Sequence, residues 1–300
     1  MLIPCRNEAV AIARVIADFR AALPDAAIHV CDNNSTDATA AIAAAAGAFV
    51  GREELPGKGH VMRRMFRDIE ADFYLTVDGD GTYDAEAAPA MIALALAEGC
   101  DLVNAIRREE ASAAYRFGHR FGNRVLTGMV RHIFGARVQD MLSGYKLLSR
   151  RFVKSFPALS RGFDIETEIT VHALELSLPV GHVEAPYRAR PLGSESKLDT
   201  WRDGLRILGM IVRLIRHERP LACFGGLGVA LALFSLALGL PVVAEFLRTG
   251  LVPRLPTAVA AMGLMLAAMM AIVTGLVLDT VTRGRREMRM LAYLQAPSRR

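Results

Sequence analysis

The chain has 300 residues, a net charge of +5 and a mean hydropathy of +0.27, and 52% of its residues are hydrophobic. This composition is too apolar for an ordinary soluble enzyme of this size. The four cysteines have neither paired nor metal-type spacing, which excludes a disulfide-stapled secreted domain and favours a reducing compartment.

Short apolar runs alternate with helical patterns from the first residue to about residue 192. The predicted strands are 2–5, 27–31, 73–77 and 102–106, and the predicted helices are 8–22, 36–46, 58–69, 85–97 and 117–134. This alternation predicts an α/β domain over residues 1–200, in which a mostly parallel sheet carries helices on both faces. Because Met1 opens directly into the first strand, we expect no signal peptide.

Two polar clusters follow the first two predicted strands. Residues 4–8 read Pro-Cys-Arg-Asn-Glu, and residues 32–37 read Asp-Asn-Asn-Ser-Thr-Asp. Parallel strands end at one edge of a sheet, so we expect both clusters to crowd that edge. Asp32 could there accept hydrogen bonds from a nucleobase or ribose. The second cluster is also good turn and helix-capping sequence, so a purely local role stays open.

A single lysine, Lys58, lies between two glycines at the start of the third predicted helix. Only four of the 36 basic residues are lysines, so a compact point charge is an uncommon choice in this chain. The segment is not a Walker loop, because the upstream glycine spacing and the following Ser or Thr are both absent. Lys58 is therefore a candidate contact for an anionic ligand outside that motif.

The strand at 73–77 ends in two aspartates, Asp78 and Asp80, that flank a glycine. Two carboxylates this close repel each other unless a proton or a cation lies between them. Hard oxygen ligands suit Mg²⁺ or Mn²⁺, which commonly bridge protein carboxylates to substrate phosphates. The pair is thus a candidate metal site, although Asp-Gly-Asp-Gly is also a favourable turn sequence.

Three more polar segments lie downstream. Residues 140–146 read Asp-Met-Leu-Ser-Gly-Tyr-Lys, and residues 162–166 read Gly-Phe-Asp-Ile-Glu. Residues 187–197 are dense in cations and hydroxyls and include Arg190 and Lys197. Such a loop closes well over a pyrophosphate, and the alternative is a solvated basic loop at a membrane surface.

The alternation of strands and helices is followed by two nearly continuous apolar stretches, residues 221–247 and 257–281. Each is longer than the roughly 20 residues that a helix needs to cross a bilayer, so we expect a two-helix transmembrane hairpin. Residues 201–220 form an amphipathic pattern, predicted as a juxtamembrane helix that lies in the membrane interface or packs on the soluble domain. Residues 282–300 are predicted as a basic cytoplasmic tail.

Basic residues cluster on the outer flanks of the two predicted spans. The positive-inside bias then predicts that the α/β domain and both termini lie in the cytoplasm, with the chain multi-pass in the inner (plasma) membrane. This clustering indicates anionic lipid, not nucleic acid, as the partner of the net positive charge. A single hairpin also favours a homo-oligomer that associates through its helices.

Together these segments resemble the family 2 glycosyltransferases with a GT-A fold, and more narrowly the polyprenyl-phosphate glycosyltransferases of the dolichol-phosphate mannose synthase type. Six motifs carry the resemblance in the family's order: Pro-Cys-x-Asn-Glu, Asp-Asn-x-Ser-x-Asp, Gly-Lys-Gly, Asp-x-Asp, Asp-x-x-Ser-Gly-Tyr and Arg-x-Arg…Ser-x-Ser-Lys. The hairpin resembles that of bacterial members anchored in the membrane. One departure is residues 78–83, Asp-Gly-Asp-Gly-Thr-Tyr, where many members have Asp-Ala-Asp-Leu-Gln.

The resemblance implies a nucleotide diphosphate sugar, UDP- or GDP-linked, as the donor. The implied donor contacts are Pro4, Glu8, Asp32, Lys58, Asp78, Arg190 and Lys197. Asp78 and Asp80 would hold Mg²⁺ or Mn²⁺ across the two phosphates and stabilise the leaving diphosphate. Asp80 and Asp140 would be the catalytic carboxylates.

The implied acceptor is a polyprenyl phosphate, undecaprenyl or dolichyl. Its phosphate is already ionised at neutral pH, so positioning and charge neutralisation would carry most of the rate. Arg120 and Arg124, one helical turn apart with Asn123 between them, are candidates to grip that phosphate, and an ordinary basic helix face is the alternative. Asp140 would act as base or orienting group, or cap its own loop. Direct attack would invert the anomeric centre.

Other functions stay open at this stage. A glycosyltransferase of a polysaccharide or cell-wall pathway would use a non-lipid acceptor, but a processive synthase normally has more spans and a Gln-x-x-Arg-Trp motif. The single tryptophan, Trp201, has no such glutamine before it. A non-catalytic, membrane-tethered sugar-binding module is the alternative from another class, and a soluble nucleotidyltransferase would not need the hairpin.

Overall fold

The computed structural model describes residues 1–109, 128, 139–162, 164–188 and 219–297. The described residues divide into two compact units. The first contains those within Met1–Ile207 and Arg289–Arg300, and the second contains those within Leu208–Met288.

The first unit is built on one seven-stranded sheet with the order β3-β2-β1-β4-β6-β5-β7. The strands are β1 Leu2–Cys5, β2 His29–Asp32, β3 Phe49–Arg52, β4 Phe73–Thr76, β5 Leu102–Glu109, β6 Lys146–Ser149 and β7 Val180–Tyr187. Every pairing is parallel except the two made by β6, which runs antiparallel to β4 and β5. The predicted mostly parallel α/β sheet is therefore confirmed.

The helices of the first unit are α1 Ile12–Ala22, α2 Thr39–Ala45, α3 Lys58–Asp68, α4 Ala87–Glu98, α5 Arg150–Ser155 and α6 Ile165–Glu175. They cover both faces of the sheet. Neighbouring residues of one strand lie on opposite faces and pack into different hydrophobic cores. Ile3 and Leu75 join a core with α1 and α4, whereas Leu2 and Tyr74 join a core with α3 and α6. This alternation follows from the period of two along a strand.

The sheet order places a crevice between β1 and β4. The chain builds outward from β1 to β3 on one side and continues with β4 on the other, so the strand order reverses between these neighbours. In open α/β sheets such a switch point opens a ligand crevice beyond the carboxyl ends of the strands. Cys5 and Asp32 are level in the β1–β2 register, which brings the first two polar clusters to this crevice.

A buried histidine makes the stability of this unit depend on pH. His172, 2% exposed, lies 3.0 Å by Nε2 from Ser155 Oγ, and among the described residues its Nδ1 has no hydrogen-bond partner. Burial, helped by the charge of Arg289, lowers the pKa of His172 to about 3. The unfolded chain binds a proton below about pH 6.5 that the fold excludes, so this stability is complete above pH 6.5 and is lost as pH falls.

We therefore expect the free energy of unfolding to fall by about 2 kcal/mol between pH 7 and pH 5 through this one group. Denaturant unfolding of the wild type and of His172→Gln, followed at both pH values, measures it. The His172→Gln variant should lack this part of the pH dependence. Equal pH slopes for the two proteins would contradict the assignment.

The second unit is a pair of long apolar helices, α7 Pro220–Thr249 and α8 Leu255–Gln295. Both have a mean hydropathy of 2.3 in their most apolar window, and both are long and apolar enough to cross a membrane by length and composition. Ser235 Oγ donates to the Ala261 carbonyl at 2.7 Å, so a buried hydroxyl joins the two helices.

The last turns of α8 belong to the first unit. The helix continues past the predicted span 257–281, and within the first unit Arg289 pairs with Glu175, while the Tyr293 hydroxyl donates to Asp101 at 2.8 Å. Part of the segment predicted as a tail is therefore helical and packed. The predicted juxtamembrane helix, 201–220, lies almost wholly outside the described residues, and the division into domains stays a prediction.

Candidate active site

The first two polar clusters hold each other at the crevice. The backbone N–H groups of Asn7, Glu8 and Ala9 donate to the side chains of Ser35, Thr39 and Asp37, at 2.9, 2.8 and 3.2 Å. In return Asn7 Oδ1 accepts the Thr36 N–H at 2.8 Å. The predicted crowding of these clusters is observed, and Ser35, Thr36 and Asp37 of the second cluster, together with Thr39, shape the loop after β1. Pro4 lies within β1.

Asp32, the first residue of that cluster, ends β2. It is 6% exposed, and its Oδ2 accepts the Ser35 N–H at 3.2 Å. Among the described residues, its buried Oδ1 has no hydrogen-bond partner. A buried carboxylate oxygen without a donor is costly, so this atom is suited to receive a hydroxyl or N–H from a ligand.

Asn33 fixes the loop that leads to Lys58, a role that the sequence did not reveal. Its Nδ2 donates to the carbonyls of Glu53 and Leu55 at 2.9 and 2.8 Å, and its Oδ1 accepts the Gly57 N–H at 2.7 Å. Both polar atoms of the buried Asn33 side chain are thus hydrogen-bonded to one loop. This side chain is therefore structural in its contacts, although it adjoins Asp32.

The second glycine of Gly-Lys-Gly allows a close approach between two segments. A Cβ on Gly59 would lie 2.1 Å from the Ser160 carbonyl oxygen, and the Gly59 N–H donates to Arg161 O at 3.2 Å. The start of α3 therefore packs directly on the chain that leads into α6. This contact brings Lys58 beside Glu166, in the first turn of α6.

Lys58 lies between two carboxylates. Its Nζ donates to Asp78 Oδ1 at 2.5 Å and also to Glu166 Oε1. Burial alone would lower the pKa of Lys58, but the two carboxylates outweigh burial and raise that pKa well above its ordinary value. The ammonium is therefore charged throughout the accessible pH range, and it partly neutralises the aspartate pair.

The two aspartates after β4 differ in environment. Asp78 keeps a side chain that is 30% exposed, whereas Asp80 is 4% exposed and its Oδ1 accepts the Thr82 N–H and hydroxyl at 3.1 and 2.7 Å. A Cβ on Gly144 would lie 2.4 Å from Asp78 Oδ2, so the Ser-Gly-Tyr segment packs against this carboxylate. The segment 140–146 thus contacts the aspartate pair through Gly144.

Asp140 is bound on both oxygens by Arg107. Arg107 Nε and Nη2 donate to its Oδ2 and Oδ1 at 2.7 Å each. Burial opposes ionisation of Asp140, but the hydrogen bonds and charge of Arg107 outweigh it, so the pKa of Asp140 lies below its ordinary value. A carboxylate with a lowered pKa is a weak proton acceptor, which favours an orienting role over a base.

A buried lysine helps to hold the loop that carries Asp140. Lys146, 1% exposed, donates to Asn104 Oδ1 at 2.6 Å. Asn104 Nδ2 in turn donates to the carbonyls of Gln139 and Asp140 at 2.7 and 3.0 Å. Burial lowers the pKa of Lys146 to about 8, against the charges of Asp140 and Glu166, which raise it.

Five predicted site residues lie outside the described residues, namely Arg120, Asn123, Arg124, Arg190 and Lys197. The strand that leads to the last two is nevertheless anchored at the aspartate loop. The Arg188 N–H donates to Thr82 O at 2.8 Å, and Arg188 Nη2 pairs with Asp84 at 2.9 Å. The basic loop 187–197 therefore begins beside Asp80.

The carboxylates at this site fit a divalent cation that is bound partly by the protein and partly by a substrate. Among the described residues, no group of three or more His, Cys, Asp or Glu side chains could hold a metal by itself. Asp78 and Asp80 supply two hard carboxylates, and Mg²⁺ or Mn²⁺ is typically held by one or two carboxylates together with substrate phosphates and water. The residues present fit that use.

The comparisons with known proteins agree with this geometry. Residues 1–156 match the model of glycosyl transferase family 2. The chain belongs to that family. Glycosyltransferase AglJ of Haloferax volcanii is 37% identical over 248 residues, which cover 82% of this chain and 81% of the relative. A dolichyl-phosphate hexose transferase of the same organism is 27% identical over 213 residues, 71% of this chain and 92% of the relative.

The fold also matches solved glycosyltransferases. Glucosyl-3-phosphoglycerate synthase of Mycobacterium tuberculosis has a TM-score of 0.57 at 22% identity, over 72% of this chain and 78% of that one. That synthase has also been solved with Mn²⁺, UDP-glucose and phosphoglyceric acid, in a structure with a TM-score of 0.55 at 24% identity over 71% of this chain and 75% of that one. The GT-A fold expected from the motifs is confirmed.

Proposed function

We propose that this family 2 glycosyltransferase moves a hexose from a nucleotide diphosphate sugar to a polyprenyl phosphate at the cytoplasmic face of the membrane. One observation carries the proposal: Asp78 and Asp80 leave β4 at the switch-point crevice of a chain that ends in two long apolar helices. A sheet edge that could bind a diphosphate suits a water-soluble donor. A membrane anchor in the same chain suits a lipid acceptor.

The donor nucleoside would bind across the ends of β1 and β2. Asp32 Oδ1, buried and without a partner among the described residues, would accept a hydrogen bond from the base or ribose. Pro4, within β1, and Glu8, whose backbone N–H is held by Thr39, would form the neighbouring wall. A protein with the same fold has been solved with Mn²⁺ and UDP-glucose, so the fold is compatible with such a donor.

Mg²⁺ or Mn²⁺ bound by Asp78 and Asp80 would neutralise charge on the leaving diphosphate. Lys58 would add a fixed positive charge beside Asp78, because its ammonium is held in place by Glu166 as well. Arg190 and Lys197, on the loop that begins at Arg188, would close over the same phosphates. These groups position the donor and screen its charge without moving a proton.

The acceptor phosphate would enter from the membrane side. Arg120, Asn123 and Arg124 would grip it, and the ionised oxygen would attack the anomeric carbon directly, with inversion. Asp140, held by Arg107, would orient the acceptor side of the site and not remove a proton. The similarity to a dolichyl-phosphate hexose transferase supports a lipid phosphate over a water-soluble acceptor.

Orientation and assembly extend the proposal. The catalytic unit and both termini would lie in the cytoplasm and the hairpin in the inner membrane, which the arginines on the outer flanks of the hairpin support. The outward faces of α7 and α8 are apolar and mostly exposed, which suits lipid contact or a homo-oligomer. Binding of nucleic acid is not part of the proposal.

Purified full-length protein, reconstituted in nanodiscs with Mn²⁺ or Mg²⁺, provides the test. It is given a polyprenyl phosphate and, in turn, UDP-glucose, GDP-mannose and UDP-N-acetylglucosamine. We expect one donor to yield a lipid-linked monosaccharide of inverted configuration, and EDTA to abolish its formation. Turnover that needs no lipid phosphate would refute the proposed acceptor and favour a non-lipid one, and turnover that is insensitive to EDTA would refute the proposed use of a metal.

A further inference from the structure

The side chain of Tyr83 joins three parts of the site. Tyr83, 8% exposed, follows Asp80 by three positions and accepts the Gly144 N–H on its hydroxyl at 2.8 Å. Its ring packs edge-on against Tyr187 and Tyr145, with centroids 5.2 and 5.4 Å away. One side chain thus contacts the loop after β4, the segment before β6 and the end of β7.

The contact with Gly144 leads directly to Asp78. The place of a Cβ on Gly144 is only 2.4 Å from Asp78 Oδ2, so this glycine lies against the carboxylate. Thr76 Oγ1 donates to the Gly144 carbonyl at 3.2 Å, which fixes the other side of the same residue. A movement of Gly144 therefore changes the space that the Asp78 carboxylate has.

We propose that Tyr83 is a positioning residue, which sets the location of the Asp78 carboxylate for a divalent cation by holding Gly144 against it. The inference rests on the proposed use of Asp78 as a metal ligand. The Tyr83 ring also contacts Tyr187 at the end of β7, so it aligns the start of the basic loop 187–197 with the loop that carries Asp78 and Asp80.

The chain offers a matched control for the loss of the hydroxyl. Tyr74 is 1% exposed, and its hydroxyl accepts the Ala71 N–H and donates to the Ile69 carbonyl, both at 3.1 Å. It lies in the core on the opposite face of the sheet from Tyr83. Tyr74→Phe and Tyr83→Phe therefore remove the same atom from similarly buried places in one unit.

The test measures Mn²⁺ binding by electron paramagnetic resonance in the full-length protein, with UDP and then GDP present, beside the Tm of each variant. We expect both tyrosine variants to lose similar thermal stability. Only Tyr83→Phe should weaken Mn²⁺ binding, by about 2- to 10-fold, the range expected for one net hydrogen bond. Unchanged Mn²⁺ affinity in Tyr83→Phe, or an equal loss in Tyr74→Phe, would overturn the proposal.

Gly144→Ala keeps the idea testable if Tyr83→Phe does not fold. Its new methyl group meets the end of the Asp78 side chain, so Asp78 should move while the backbone remains. We expect Mn²⁺ binding to weaken in this variant as well, and unchanged binding would also overturn the proposal. A wild type that binds Mn²⁺ but transfers no sugar would refute the proposed reaction and leave this test intact, whereas a wild type without Mn²⁺ binding would refute both.

Discussion

Asp78→Asn is expected to lower kcat/KM for sugar transfer by about 100- to 1,000-fold, the usual cost of removing one electrostatic group that acts on the transition state. The amide keeps the size of the carboxylate but loses the charge that would hold a divalent cation. The side chain is 30% exposed, so the change leaves no deeply buried charge behind. The fold should therefore persist, and the loss should appear in activity and Mn²⁺ binding.

Asp101→Asn is the matched control for Asp78→Asn. Asp101 is 6% exposed and accepts hydrogen bonds from Ser149 and Tyr293. Its replacement should lower the Tm without changing kcat at saturating donor. Lipid-linked product is measured for both variants with the same Mn²⁺ series, and near-wild-type turnover by Asp78→Asn would contradict the metal assignment.

The parts of the site that lie at strand ends were predictable from sequence. Asp32 and Asp78 each follow an apolar run, and parallel strands deliver their ends to one edge, so their place at one sheet edge with the first loop followed from periodicity and turn chemistry. The nearness of Lys58 was implied only by the resemblance to the family. The hairpin was predictable for a simpler reason, because about 20 apolar residues in a row have few alternatives. Local pattern was sufficient in both cases.

The missed elements lack such a local signal. β3 is short, with all four residues exposed, and its Phe49–Arg52 run contains a glycine. β6 begins with a buried lysine, Lys146, whose amine is satisfied by Asn104 across 42 positions of sequence. Burial of a charged side chain in a strand can be predicted only when its distant partner is known.

Pairings across the chain were beyond sequence reasoning for the same cause. Glu166 lies 108 positions from Lys58, and Arg107 lies 33 positions from Asp140. Glu166 did carry a weak signal, as an acidic residue in the first turn of a helix after Gly162. Arg107 carried none, since it lies just beyond the predicted strand 102–106 and beside a second arginine, where an exposed position is expected. The charge balance of the site therefore required the fold.

Lys58→Met should be the most destabilising single change at the site. It leaves the 6% exposed Glu166 carboxylate without its cation, and breaking a buried ion pair on one side costs about 3–5 kcal/mol. The deficit should shrink as pH falls, because the unpaired carboxylate has a raised pKa and takes up a proton within the fold. Denaturant unfolding of the purified variant at pH 7 and at pH 5 measures both effects.

The double variant Lys58→Met, Glu166→Gln separates charge balance from chemistry. Removing the stranded carboxylate should restore most of the lost free energy of unfolding, since a neutral amide needs no cation. It should not restore transfer, because Asp78 then lacks the ammonium that contacts its Oδ1 at 2.5 Å. Stability recovered without activity would assign Lys58 two separable functions, to neutralise Glu166 within the fold and to serve the donor phosphates beside Asp78. Recovery of both would reduce Lys58 to a structural counter-ion, and recovery of neither would mean that its packing, not its charge, dominates.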